Sequence, residues 1–243
     1  MKKALLTNPA FRYVFEVFVI VFSVSISFAI QEFLNDREKI EFKNKGLNGV
    51  LKDLKEDEEF FTIASRVLTN RIKITETFLD GQVSNQSINQ IMLTYGFVGQ
   101  NANYKSLVST GVIEFINESS LSKELANYYE MRYSILEDIS GQYKELYLEF
   151  LSFMRSSYPV ESIQNINLVD NKIDFNSSGK ITSFNYKTST LNNLNLDFKF
   201  RNHLYDLRKI KIYYAGFFEA AINQNLKLSS LINDELKLNG IWK

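Results

Sequence analysis

Between Tyr13 and Ile30 the chain is apolar apart from three serines and Glu16, its one charged residue in this stretch. A membrane span needs about 20 mostly apolar residues, and Phe11 to Ile30 supplies them when Arg12 and Glu16 sit near one interface. Val17 to Phe22 is apolar around the whole helix, which suits lipid better than a half-wet protein surface. This predicts a short tail over residues 1–12, a transmembrane helix over 13–31 and a folded domain over 32–243. A cleaved signal peptide is the rival reading, because Lys2 and Lys3 form a basic start and Ser27-Phe28-Ala29 is a loose cleavage pattern. The apolar run continues through that pattern and exceeds the ~7 to 15 residues usual for a signal core, which favours the span.

Lysine and arginine are nearly balanced across the run, with Lys2, Lys3 and Arg12 before it and Arg37, Lys39, Lys43 and Lys45 after it. The first flank carries no acid, whereas Glu32, Asp36, Glu38 and Glu41 interleave the second. The expected orientation has a cytoplasmic N-terminus and an extracytoplasmic C-terminal domain.

The residues after the run suffice for one domain, at the usual ~100 to 200 residues each. Basic and acidic residues number 28 each and intermix, so no basic field points to nucleic acid. Cysteine is absent, which removes disulfides, thiolate metal sites and cysteine nucleophiles. The only prolines are Pro9 and Pro159, a scarcity that permits very long helices.

Periodicity fills that allowance. Phe33, Ile40, Leu47, Leu51, Leu54, Phe61, Leu68, Ile72 and Leu79 recur at steps of three, four or seven, so the span is expected to continue as a stalk toward Asp80-Gly81. Gly46 and Gly49 are expected to loosen it locally. Ser119 or Ser120 caps a second long helix, striped by Leu121, Leu125, Tyr128, Ile135, Ile139, Leu146, Phe150 and Phe153, that ends near Tyr158-Pro159. A third runs from Phe198 to Leu238, with Leu207, Ile210, Tyr214, Phe217, Ala221, Leu228 and Leu231 on its stripe and Asn239-Gly240 as its stop. Shorter helices are expected over residues 86–95 and 103–117. Residues 165–195 are polar, with short alternations that predict an irregular insertion or a hairpin around Asn176-Ser177-Ser178-Gly179. The fold class is all-α: an N-terminal transmembrane helix continuing into an elongated antiparallel bundle.

Few residues offer chemistry. Glu16 stands out because a carboxylate in hydrocarbon is costly and tends to face protein, water or a proton path. It pairs with a partner helix or, at i to i+4 spacing, with Arg12 at the interface. Ser23 and Ser27 share a face suited to close helix contact, although serines also satisfy themselves on their own helix. Asp174-x-Asn176-x-Ser178-Gly179 matches the first half of a calcium loop, but Asn185 stands where the bidentate glutamate belongs, so a polar turn is the reading. Glu56-Asp57-Glu58-Glu59 points around a helix and reads as a solvated face. His203, the single histidine, has no accompanying nucleophile motif. Tyr128, Tyr129, Tyr133, Tyr143, Tyr147, Tyr205, Tyr213 and Tyr214 are expected to cover a core with their hydroxyls at its wet edge. Trp242 anchors at a surface or closes the last helix. No catalytic, cofactor or metal site is expected.

Four segments carry a family resemblance: Glu16 leading to Ala29-Ile30-Gln31 and Asn35-Asp36-Arg37-Glu38; Leu51-Lys52-Asp53-Leu54-Lys55-Glu56-Asp57; Tyr104 to Gly111 with Tyr128-Tyr129; and Phe200-Arg201-Asn202-His203-Leu204. In their order the chain resembles an uncharacterised family of bacterial single-span membrane proteins. It departs from that pattern at Asp36, where the family usually has tryptophan. The resemblance implies an anchor in the bacterial cytoplasmic (inner) membrane and a helical domain, brings no reaction with it, and makes the acid at Glu16 look like a requirement of assembly or of transmission across the membrane. The expected function is a non-enzymatic membrane component that contacts lipid and binds a membrane protein or its own copy. The alternative is an extracytoplasmic ligand sensor that signals through a separate membrane partner.

Overall fold

The structure, a computed structural model, describes residues 9–92, 94–117, 119–164, 168–169, 172–173, 183–194 and 196–240. Helix α1 runs unbroken over Pro9–Leu79, 71 residues, as the lack of any proline between Pro9 and Pro159 allows. Pro9 occupies the first helical position, where its missing N–H is not needed. The stop is chemical: Gly81 adopts φ 91, its amide donates to Phe78 O at 2.9 Å and that of Gln82 to Thr77 O at 2.9 Å. Glycine takes this left-handed cap without a Cβ penalty. The apolar run thus continues into the domain as one helix.

Helix α7, Phe198–Gly240, returns antiparallel to α1. Asp197 starts it by accepting the amides of Lys199 and Phe200 at 2.8 and 3.2 Å. The two helices bury heptad rows. Lys43, Val50, Asp57, Ala64, Arg71 and Phe78 form one row of α1, and Leu47, Leu54, Phe61, Leu68 and Thr75 the other; all are buried. On α7 the rows are Phe200, Leu207, Tyr214, Ala221, Leu228, Glu235 and Leu204, Lys211, Phe218, Asn225, Ile232, again all buried. A repeat of seven keeps one face of each helix on its partner. The expected stripe began too early, because Phe33 is 62% and Ile40 37% exposed. The partner residue opposite Lys43 is Glu235, so α7 is nearly spent before it reaches them.

The second long helix is interrupted. Helix α4, Ser119–Ala126, passes through a π turn at Asn127–Arg132 into α5, Tyr133–Ser157. The wider turn brings Tyr128 and Tyr129 both into the core and advances the buried row to Tyr133, Leu136 and Tyr143. Ile135, Leu146 and Phe153 are therefore half-buried at its edge. The helix ends before Pro159, with Tyr158 extended at φ −133 and ψ 113.

Short elements close the side of the α1/α7 pair. Helix α2 is Asn85–Ile91. The helix expected over 103–117 is two pieces, α3 at Ala102–Ser109 and a 3-10 turn at Val112–Phe115, because Gly111 at φ 70 breaks it. Gly46 and Gly49 do not loosen α1. They admit α3: a methyl on Gly46 would overlap the Leu107 side chain and one on Gly49 the Asn103 carboxamide. In the polar insertion β1, Ser162–Gln164, pairs antiparallel with β4, Ser183–Asn185. Inside it β2, Leu168–Val169, pairs with β3, Lys172–Ile173. The expected turn at 176–179 and the calcium-like loop fall on residues outside those described, as does Trp242. Asn85 and Asn89 of α2 dock this ladder, each exchanging two hydrogen bonds of 2.8 to 3.1 Å with the backbone of Tyr186 and Phe184. Helix α6, Thr188–Leu194, leads back to α7.

Candidate functional site

From Tyr13 to Phe42 α1 is exposed on every side, and Tyr13, Phe15, Phe18 and Phe28 are each at least 58% accessible. The segment is long and apolar enough to cross a membrane. Glu16 lies exposed on it, four residues after Arg12, whose side chain is outside the described residues. The hydroxyls of Ser23, Ser25 and Ser27 donate to Val19 O, Val21 O and Ser23 O, one turn back, at 2.7, 2.8 and 2.8 Å. Ser23 and Ser27 share one face with Val24, Phe28 and Gln31. Their hydroxyls are used within the helix, so this face offers a shallow notch for packing rather than hydroxyl donors.

Beyond Phe42 the chemistry inverts, and charged residues occupy the buried rows. The first polar layer is Lys43 and Glu235, both fully buried, with Nζ 2.5 Å from Oε1. Lys43 also donates to Phe115 O at 3.0 Å, and the backbone and side-chain N–H groups of Asn117 each donate to Glu235 at 3.2 Å. One ion pair thus ties α1, α7 and the segment after α3 together.

The second layer gathers residues from two of the four segments that carry the resemblance. Asp57 accepts the Tyr133 hydroxyl, the Tyr128 hydroxyl at 3.0 Å and the Gln100 amide at 3.0 Å. One turn away Asp53 accepts the amide and the carboxamide of Asn103 at 3.2 and 2.8 Å, so α1 supplies the N-terminal cap that α3 lacks in its own sequence. Asn225 of α7 donates to Leu54 O at 2.6 Å and to the Tyr128 hydroxyl at 3.2 Å. Tyr104 stacks on Tyr129, centroids 4.6 Å apart, and donates to Glu130 at 2.7 Å. The Tyr129 hydroxyl is buried with no hydrogen-bond partner among the described residues. Burial pushes Asp57 up to about 6, against the lowering effect of the Tyr133, Gln100 and Tyr128 hydrogen bonds.

Two expectations are corrected here. Asp57 is not part of a solvated acidic face; it is 1% exposed, because it falls on the heptad row while Glu56 and Glu59 do not. The hydroxyls of Tyr128 and Tyr133 are not at a wet edge but on that buried carboxylate. Tyr205 and Tyr213, by contrast, are exposed, and Tyr147 donates to Met92 O at 2.5 Å. His203 packs between Phe150 and Phe153.

The third layer is cationic. Arg71 of α1 is 8% exposed and Lys211 of α7 is fully buried. Lys211 donates to the Thr75 hydroxyl at 3.4 Å, and burial together with Arg71 holds its ammonium down to about 7. Arg71 hydrogen-bonds Tyr143 of α5. Beside it, between α1 and α2, a cleft of about 680 Å³ is walled by Arg66, Asn70, Arg71, Lys73 and Gln90 among others, with no carboxylate in its lining among the described residues. One turn further on, Arg208 of α7 places two nitrogens 3.0 and 2.7 Å from Glu76.

No family model, no curated protein and no solved structure matches this chain. No group of three or more His, Cys, Asp or Glu stands in metal-holding proximity among the described residues. Sequence periodicity found the apolar positions and passed over Lys43, Asp53, Asp57, Arg71, Lys211, Asn225 and Glu235. The available signal was the heptad count itself, since six of these seven sit on an otherwise apolar row.

Proposed function

We propose that this chain is a single-pass membrane protein, without catalytic activity, that serves as an interaction or accessory subunit of a membrane assembly. One observation carries the reading: an exposed apolar segment, Tyr13–Leu34, forms one continuous helix with the axis of a folded bundle. Lipid and a partner span, either another membrane protein or a second copy, cover the segment. The charge-poor faces of Ser23 and Ser27 and the acid Glu16 with Arg12 are where such a span would pack. The resemblance to single-span bacterial proteins supports a place in the cytoplasmic membrane, and the basic residues Lys2, Lys3 and Arg12 support an extracytoplasmic bundle.

The test is a tagged full-length chain, extracted in mild detergent after crosslinking in the membrane. A retained partner or a crosslinked dimer that Glu16→Gln weakens, with insertion unchanged, is the expected result. A monomer with no retained partner would refute the accessory role, and recovery in the soluble fraction would refute the anchor. The cationic cleft supports a second reading, a ligand sensor that acts through a separate membrane partner, since a rigid helix can carry a small displacement from the bundle to the span.

A further inference from the structure

We propose that the near pole of the bundle, around Phe42, Val108 and Leu238, is a second lipid contact that rests on the zwitterionic phospholipid headgroups of the leaflet from which α1 emerges. This contact presupposes the anchor proposed above and adds a surface of the folded domain to it. Three elements converge at the pole. Glu235 pairs with Lys43, so Leu238, three residues on along α7, lies level with Ile40. Helix α3 descends along α1 in the same sense, since Asn103 reaches Asp53 and Leu107 lies against Gly46. Just after it, Thr110 and Val112 line a groove of about 270 Å³ with Asn35, Glu38, Lys39 and Phe42 of α1. At this level Ile40, Phe42, Val108 and Leu238 are 37, 44, 45 and 50% exposed.

Height selects lipid as the occupant. The exposed apolar run from Tyr13 to Leu34 is about 33 Å of helix at 1.5 Å per residue, close to the ~30 Å of a hydrocarbon layer. Leu34 therefore marks the edge of that layer, and Phe42 stands about 12 Å beyond it. The headgroup region fills about 5–8 Å of this distance. Side chains of α1 lean toward its N-terminus, hence toward the membrane, so Lys39, Ile40 and Phe42 close the rest. Single exposed apolar residues are ordinary on any protein. Here three elements bring them to one level, continuous with the apolar run.

Charge decides which headgroup. The cations of the pole are matched in place, Lys39 by Asp36 at 3.9 Å and Lys237 by Asp234 at 3.0 Å. On α1 nearby, Arg37 and Lys45 are balanced by Glu38 and Glu41. Anionic lipid attracts basic clusters, whereas mixed charges around exposed apolar groups suit a layer of phosphate and ammonium groups above hydrocarbon. The groove has that composition, with Lys39 and Glu38 beside Phe42 and Val112.

The test uses the full-length chain in phosphatidylcholine vesicles that carry a nitroxide quencher on either the headgroup or the acyl chain. The chain has no cysteine, so a single introduced one holds a fluorophore at one place. Val108→Cys and Leu238→Cys report the near pole, Leu196→Cys, 85% exposed, the far pole, and Phe22→Cys the span. The headgroup nitroxide should remove most of the emission at positions 108 and 238 and leave position 196 unchanged, and the acyl nitroxide should quench position 22. Adding phosphatidylglycerol should change none of this. Phe42→Gln with Val108→Gln, both at exposed positions, should keep the helical spectrum and Tm while lowering the quenching at position 238. Near-pole labels as bright as the one at position 196, or quenching indifferent to Phe42→Gln with Val108→Gln, overturn the contact and leave the anchor standing. Near-pole quenching that needs phosphatidylglycerol overturns the zwitterionic assignment. A label at position 22 that the acyl nitroxide does not quench overturns the anchor and the contact together.

Discussion

The two halves of α1 reverse the usual relation between polarity and burial. From Tyr13 to Leu34 the apolar side chains are exposed, and from Lys43 to Phe78 a lysine, two aspartates, an arginine and a threonine are buried. The difference lies in what the rest of the chain provides. Opposite the second half stand α7, α3 and α5, with an ion for Lys43, donors for Asp53 and Asp57 and a phenol for Arg71. Among the described residues no other element covers the first half, which is exposed throughout. A helix face is therefore read by its supply of complementary groups rather than by its own hydropathy.

The comparison breaks most visibly at Lys43. Lys43→Ala strands Glu235 as a buried carboxylate and should cost about 3–5 kcal/mol of bundle stability by denaturant unfolding. Lys43→Met with Glu235→Leu removes both charges and should recover most of that loss; failure to recover would mean the pair contributes more than mutual neutralisation. In the exposed half, Ile20→Lys should oppose membrane insertion by about 2.5–3.5 kcal/mol. The chain should then shift toward the soluble fraction while the Tm of the bundle stays constant.

Titration sharpens the contrast within the buried half. Asp57 has its folded pKa raised from 3.8 to about 6, so the fold binds a proton that the unfolded chain has released, and stability should fall as pH rises from about 4 to about 6. Lys211 has its folded pKa lowered from 10.5 to about 7. Its contribution is complete above 10.5 and is lost as pH falls toward 7, so stability should climb across that interval. Asp57→Asn should flatten the acid limb and Lys211→Met the alkaline one in unfolding curves taken across pH; unchanged limbs would assign the dependence to other groups. The smallest effect belongs to Ser23→Ala with Ser27→Ala. Their hydroxyls bond their own helix, so bundle stability should stay within about 0.5 kcal/mol, and any loss of a crosslinked partner would mark the face as a packing surface.

Much of the architecture was legible because it depends on local signals. Two prolines, Gly81 and a repeat of apolar residues place the long helices, whereas the break at Gly111 splits what the pattern reads as one short helix over 103–117. The polar core was not legible by the same signals, since periodicity counts Leu47 and Leu54 as core and passes over Asp57 between Leu54 and Phe61. Its partners come from elsewhere in the chain: the π turn and the start of α5 bring the Tyr128 and Tyr133 hydroxyls, and the segment before α3 brings the Gln100 amide. That turn also explains why the row on α5 starts one residue later than simple counting gives. Gly46 and Gly49 were misread for a related reason: their smallness serves a crossing by α3, a tertiary fact. For Glu16, Ser23 and Ser27 the sequence named contact positions, and the structure places them on the exposed stretch of α1.

The antiparallel pairing of Lys43 with Glu235 and of Arg201 with Leu79 O gives the bundle two distinct poles. Gly81 and the start of α7 lie at one. Gly240 lies at the other, beside the point where α1 changes character, so the chain departs from and returns to the same level after a round trip of about 55 Å each way. A fluorophore placed at Gln82 and another near Gly240 would report opposite heights above whatever surface the apolar half occupies, which makes the molecule its own ruler.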